Sequence, residues 1–191
     1  MPELQAARGA SLSTGRPATR LALAVAAVAL LLDLFSKQLA VRELTGREPV
    51  QVVGELLQLQ LLRNPGAAFS AGEGLTPVIS VVALIAAVVV VFFVFRVRHR
   101  GWAVALGLLL AGVTGNLVDR MFRAPGPFRG HVVDFFALPN WPVFNVADIC
   151  IDVAGAIFVV LLVRGVRLDG TRDRDVADQD APQGAPVKDE P

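Results

Sequence analysis

Long apolar runs alternate with short charged or breaker-rich stretches along the chain, and the length of the runs decides its class. Leu21–Ala40, Pro77–Phe95, Trp102–Val118 and Val146–Val163 are each long enough, as helices, to cross a hydrocarbon core of about 30 Å at about 1.5 Å per residue. A secretory signal peptide is the rival reading of the first run. Asp33 and Lys37 interrupt it where an apolar core should end, and Gln38-Leu39-Ala40 lacks a small-x-small cleavage pattern, so it reads as the first membrane helix. Between the first two helices, Val50-Gln51-Val52-Val53 and Leu57-Gln58-Leu59-Gln60-Leu61 carry β-branched or alternating residues and predict a small β element. Between the third and fourth, Met121 to Phe144 holds Pro125, Gly126, Pro127, Gly130, Pro139, Asn140 and Pro142, which predicts turns with room for one short helix. Trp141 in that loop suits an interfacial anchor.

The expected fold is therefore an all-α integral membrane protein of four transmembrane helices with a small extracytoplasmic β element. Residues 1–20 read as a flexible basic segment, 21–167 as the transmembrane domain with outer loops 41–76 and 119–145, and 168–191 as a disordered acidic tail. Composition agrees: 54% hydrophobic content with a mean hydropathy of +0.57 is too apolar for an ordinary soluble domain. Lys and Arg number 18 against 17 Asp and Glu, so no basic field points to nucleic acid. The side of each charge matters more. Arg8, Arg16, Arg20, Arg96, Arg98, Arg100, Arg164, Arg167, Arg172 and Arg174 flank one end of the four runs, while fewer arginines spread over the longer loops at the other. By the positive-inside rule both termini are expected in the cytoplasm.

Ionisable groups inside membrane helices are costly and point to function. Counted from the arginine-rich side, Asp33, Lys37, Asn116, Asp119, Asp148 and Asp152 all fall about 18–26 Å deep, in the outer half of the membrane. Asp33/Lys37 and Asp148/Asp152 are i,i+4 pairs, and Asn116/Asp119/Arg120 follow i,i+3,i+4, so each set shares a helix face. Asp33–Lys37 and Asp119–Arg120 also read as charge-compensated structural contacts. Asp148 has no cation nearby on its own helix, and Asp134 follows His131-Val132-Val133 in the loop that leads back to that helix.

Two histidines and one cysteine make a poor metal set. Cys150 lacks an activating partner and reads as a small packing residue, and adjacent Ser36 and Lys37 diverge by about 100° around a helix, which disfavours a Ser-Lys pair. Two neighbouring carboxylates, by contrast, can share one proton and activate a water without a cofactor. A transporter would place its carboxylates on broken helices within internal repeats, and no repeat is visible; a non-catalytic scaffold would tolerate loss of Asp134 and Asp148.

Asn64-Pro65-Gly66-Ala67-Ala68-Phe69-Ser70, Gly115-Asn116-Leu117-Val118-Asp119-Arg120, Val132-Val133-Asp134-Phe135 and Phe144-Asn145-Val146-Ala147-Asp148, in that order on a four-helix layout, resemble the lipoprotein signal peptidase family, signal peptidase II. The resemblance implies a bacterial inner-membrane aspartyl endopeptidase that cuts the signal peptide from prolipoproteins just before a diacylglyceryl-modified cysteine. It implies Asp134 and Asp148 as the catalytic dyad, Asn64, Gly66, Asn116, Arg120 and Asn145 around the substrate or the dyad, and Asp33, Lys37 and Asp119 as supporting polar positions. A monomer without cofactor or metal is expected, with lipidated prolipoproteins and membrane lipids as partners and no nucleic acid. Asp152 departs from the family pattern, and a third carboxylate there would perturb the dyad or pair with Lys37.

Overall fold

The computed structural model describes residues 18–66 and 74–172. Among them, α1 (Thr19–Leu44), α2 (Thr76–Val94), α3 (Arg100–Phe122) and α4 (Val146–Val163) are each long and apolar enough to span a membrane. Strands β1 (Val50–Val53), β2 (Leu57–Asn64) and β3 (Val132–Ala137) form one antiparallel sheet in that order. The protein is thus a multi-pass membrane protein with a small sheet. Helix α1 runs past Ala40 to Leu44, and α3 reaches from Arg100 to Phe122. Charged residues continue α1 and α3 beyond their apolar runs, so hydropathy alone marks those two spans short, while α4 matches Val146–Val163 and α2 lies within a residue of Pro77–Phe95 at each end.

Helix α1 buries Ala22, Ala26, Ala29, Asp33, Lys37, Ala40 and Leu44, a stripe at spacings of three and four. Its other side exposes Val28, Leu31, Leu32 and Phe35, as lipid-facing positions require. Helix α3 packs against the other three helices and buries Ala103, Ala105, Leu106, Gly107, Ala111, Gly112 and Gly115 toward them. Small residues let helix backbones approach closely where lipid removes the hydrophobic drive for association. A Cβ on Gly112 would stand 2.5 Å from the Ala147 carbonyl, so α3 and α4 touch there backbone to backbone.

One end of the bundle gathers the start of α1, the end of α2, the start of α3 and the end of α4. Ala18 N donates to Val97 O at 3.0 Å and Thr19 Oγ1 to Val94 O at 3.0 Å. Trp102 Nε1 donates to Val166 O at 2.9 Å, and the backbone N–H groups of Arg98 and His99 converge on Leu168 O. Residues 164–172 form a turn closed by a Val166–Arg172 bridge, so the domain boundary expected at residue 167 falls inside it. Residues 1–17 of the lead-in expected to be flexible, residues 173–191 of the expected tail and Ala67–Ser70 lie outside the described residues.

The sheet covers the opposite end. β1 and β2 occupy the positions that alternation marks, with β2 extended to Asn64. β3 corrects the expectation for the second long loop, which holds a strand in place of the short helix. Val132-Val133-Asp134-Phe135 is buried throughout, so it shows no alternation to read, and it pairs with β2 through Leu62↔Asp134, Arg63↔Val133 and Asn64↔Val132. The chain then folds back, with Phe136 and Phe144 exchanging backbone hydrogen bonds of 2.9 and 3.0 Å.

Gly115 and Gly155 test the packing account. A Cβ on Gly115 would collide with the Asp33 carboxylate, which an ion pair and a backbone N–H hold in place, whereas nothing lies within 4 Å of one on Gly155. Gly115→Ala is expected to cost about 1–3 kcal/mol and Gly155→Ala to be neutral or stabilising by up to about 1 kcal/mol, read by unfolding in detergent. Equal effects of the two changes would contradict it.

Candidate active site

The deepest layer of the site is an ion cluster between α1, α3, α4 and β3. Lys37 and Asp33 fall on the buried stripe of α1, and Lys37 is wholly enclosed. Its Nζ meets Asp33 Oδ2 at 2.9 Å, Asn116 Oδ1 at 2.9 Å and Asp119 Oδ2 at 3.2 Å. Three acceptors thus meet the three protons of an ammonium. The carboxylates reach onward: Asp33 Oδ1 accepts from Ala147 N at 2.9 Å in α4, and Asp119 Oδ2 from Val133 N at 3.1 Å in β3. Asp119 also pairs with Arg123 Nε.

The expected Asp119–Arg120 contact does not form. Neighbours on a helix point apart, while Arg123 lies one turn along on the same face. Arg120 instead sends Nη2 to Gly66 O at 2.9 Å, and its Nη1 is buried without a partner among the described residues. The pairing of Lys37 with Asp152 is likewise absent, because Lys37 is already saturated by Asp33, Asp119 and Asn116.

Asn145 caps α4 and carries the next layer. Its Oδ1 accepts from Asp148 N, and its own N–H donates to Asp148 Oδ2, both at 3.1 Å, in a reciprocal capping box. Its Nδ2 donates to Asp134 Oδ1 at 2.6 Å and to Asn116 Oδ1 at 3.2 Å. One buried residue therefore joins both carboxylates, Asp134 through its side-chain Nδ2 and Asp148 through its backbone N–H. Asn116 Nδ2 donates to Asp148 Oδ1 at 2.8 Å, and Asn64 Nδ2 to Asp134 Oδ2 at 3.0 Å. Asn64 is itself fixed by Gly66 N at 3.0 Å.

Asp134 is 2% exposed, and burial pushes its carboxyl up to about 6. The charge of Asp148 pushes the same way, while the hydrogen bonds from Asn64 and Asn145 and the charge of Lys37 oppose the rise. Two carboxylates close enough to influence each other, beside a solvent space, can hold a water and pass a proton between them.

That space is a cavity of about 370 Å³ whose walls include Asn64, Gly66, Asn116, Arg120, Asp134 and Asp148. Asn145 is fully buried behind the two aspartates, and Asp33, Lys37 and Asp119 lie beneath the cavity without lining it. Sequence reasoning did not place the wall Trp141-Pro142-Val143-Phe144 at the site, reading Trp141 as an anchor, Pro142 as a breaker and Phe144 only as the first residue of a motif. It also missed Arg123, which its i,i+4 spacing from Asp119 could have revealed. Cys150 packs with Ala29 and Ala111, and Ser36 Oγ donates to Asp33 O at 2.9 Å, so neither faces the cavity.

A family model described as signal peptidase (SPase) II matches residues 25–164. A lipoprotein signal peptidase of Mycolicibacterium smegmatis is 52% identical over 143 residues, covering 75% of this chain and 60% of the relative. One of Streptomyces griseus subsp. griseus is 48% identical over 154 residues, covering 80% of this chain and 78% of its own. A solved bacterial membrane enzyme structure superposes with a TM-score of 0.67 at 21% identity, covering 87% of this chain and 95% of that one, and so shares the fold.

The raised Asp134 has a consequence for stability. Between the ordinary value of 3.8 and about 6 the folded chain holds a proton that the unfolded chain releases, so stability falls as pH rises through that window. Unfolding in detergent at pH 4 and pH 6.5 should show this fall in the native chain and a smaller one in Asp134→Asn. Identical pH dependence in both would refute the assignment.

Proposed function

This chain belongs to the signal peptidase II family, and on that premise we propose that it is an aspartyl endopeptidase that removes signal peptides from diacylglyceryl-modified prolipoproteins. The observation that carries the mechanism is that one buried residue, Asn145, joins two carboxylates that line the cavity, its side-chain Nδ2 donating to Asp134 and its backbone N–H to Asp148.

A water between the carboxylates loses a proton to the ionised member as its oxygen attacks the scissile carbonyl carbon. The protonated member gives its proton to the carbonyl oxygen, producing a gem-diol. Collapse of the gem-diol breaks the C–N bond while one of its hydroxyls returns a proton to the now-ionised member, and the proton taken from the water goes to the leaving amine, which becomes the free amino group of the lipidated cysteine. Water is thereby added across the bond and the dyad returns to its starting charge. Arg120 Nη1, unpartnered among the described residues, is the donor for the developing oxygen charge. Asn116 and Asn145 hold both carboxylates in place, which limits reorganisation during the reaction.

The arginine-bearing end of the bundle faces the cytoplasm, so both termini lie there and the cavity opens in the outer leaflet of the bacterial inner membrane. The diacylglyceryl chains stay in lipid while the scissile bond reaches the carboxylates. The enzyme works as a monomer.

Two experiments test this with purified protein in detergent and a precursor followed by gel mobility. Asp134→Asn and Asp148→Asn should each lower turnover about a thousandfold or more, and the double change should cost little beyond either single one. Near-native turnover in either variant would end the dyad assignment. Because each buried methylene contributes about 0.8 kcal/mol, a precursor with a lipidated cysteine should be cut far faster than its unlipidated twin. Equal rates would remove the lipid from the recognition scheme.

A further inference from the structure

Helix α4 carries a carboxylate that the mechanism above leaves unused. Asp152 sits four residues beyond Asp148, on the same helix face and about 6 Å further along the axis toward the membrane interior. Both line the same cavity. Asp152 is exposed there, and no hydrogen bond or ion pair reaches it among the described residues. Neither nearby cation pairs with it: Lys37 is held by its three acceptors, and Arg120 sends Nη2 to the Gly66 carbonyl.

A carboxylate on a membrane-spanning helix needs hydrogen-bond donors, and with no protein donor it depends on cavity water. A peptide that fills the cavity strips that water away. The group that replaces it must then donate a hydrogen bond, because an apolar side chain leaves the carboxylate unsatisfied and an acidic one repels it.

Position in the cavity identifies which part of a substrate is read. Trp141–Phe144 walls the cavity just before α4 begins, and Asp152 lies a turn and a half into the helix. A signal segment enters the membrane, so the residues before the cut pass on the Asp152 side. An extended chain rises about 3.3 Å per residue, which makes 6 Å about two residues.

We propose that Asp152 is a specificity-determining residue of the cavity, selecting precursors with a hydrogen-bond donor about two residues before the cleaved bond and disfavouring an acidic residue there. The proposal rests on the peptidase reading above, and the test separates the two.

Three lipidated precursors that differ only at that position, with Ser, Leu or Asp, are compared by kcat/KM in the native enzyme, Asp152→Asn and Asp152→Leu. The native enzyme should favour Ser over Asp by about tenfold or more. Asp152→Asn should keep the preference for Ser over Leu and lose most of the discrimination against Asp. Asp152→Leu should move the preference to the Leu precursor. A general loss of structure would lower all three values together, whereas the proposal requires their ratios to change. Ratios that stay within about twofold across the enzymes would overturn the role of Asp152 while leaving the peptidase reading intact. No cleavage of any precursor by the native enzyme would overturn both. If Asp152→Leu does not fold, the Ser-to-Asp ratio of the near-isosteric Asp152→Asn decides the matter.

Discussion

An ammonium enclosed in a membrane helix bundle is the constraint around which the rest is arranged. Lys37 has no access to solvent, and a buried cation without partners is strongly unfavourable. Its partners therefore have to come from the protein, and they come from two helices: Asp33 on its own, Asp119 and Asn116 on α3. Each carboxylate has a second oxygen or lone pair to satisfy, and those demands reach further. Asp33 takes the Ala147 N–H at the start of α4, and Asp119 takes the Val133 N–H in β3. Satisfying one lysine thus fixes the relative positions of α1, α3, α4 and the third strand.

The layer that holds Asp134 and Asp148 is attached to this cluster through amides. Asn116 accepts from Lys37 with its oxygen and donates to Asp148 with its nitrogen, so the direction of its hydrogen bonds is set by the lysine. Asn145 has the same bifunctional character, accepting from Asp148 N while donating to Asp134 and Asn116. A carboxamide offers a donor and an acceptor on separate atoms of one side-chain end without charge. A carboxylate at either position would put another negative charge beside the aspartates, and an aliphatic residue would leave buried acceptors bare. Preorganisation of Asp134 and Asp148 is therefore a consequence of the charge on Lys37, passed on through hydrogen-bond polarity.

Much of this was legible in the residues because the membrane imposes simple rules. Run length located the spans, and i,i+4 spacing anticipated the Asp33–Lys37 pair. The reading failed where contacts are set by tertiary pairing. The first four residues of β3 are all buried and the strand sits among prolines and glycines, so neither alternation nor length identified Val132–Ala137 as a strand. The partner of Asp119 was assigned to adjacent Arg120, although helix geometry favours Arg123, and Lys37 joins it from another helix. Arg120 found its acceptor in the Gly66 carbonyl of a distant loop, a pairing with no local sequence signature. The reciprocal cap of Asn145 and Asp148 did have one, a capping residue followed three positions later by an acid.

Lipid as solvent explains why support and chemistry share one network. The exposed faces of α1, α2 and α4 carry Leu31, Phe35, Val82, Val88, Val159 and Leu162, and such residues gain little from leaving lipid for a neighbouring helix. Cohesion must then come from close packing at small residues and from polar contacts that lipid cannot offer. Gly112 and Gly115 supply the first on α3, and the Lys37 cluster supplies the second at the same level. Charged groups are tolerated only where they are mutually satisfied, so the bundle concentrates them in one layer beside the sheet. Among the described residues, Asn64, Asn116, Asp134 and Asp148 are where that layer meets the cavity. Enclosed members of the network consequently act on the position of the others, and members at the edge are the ones that face the cavity.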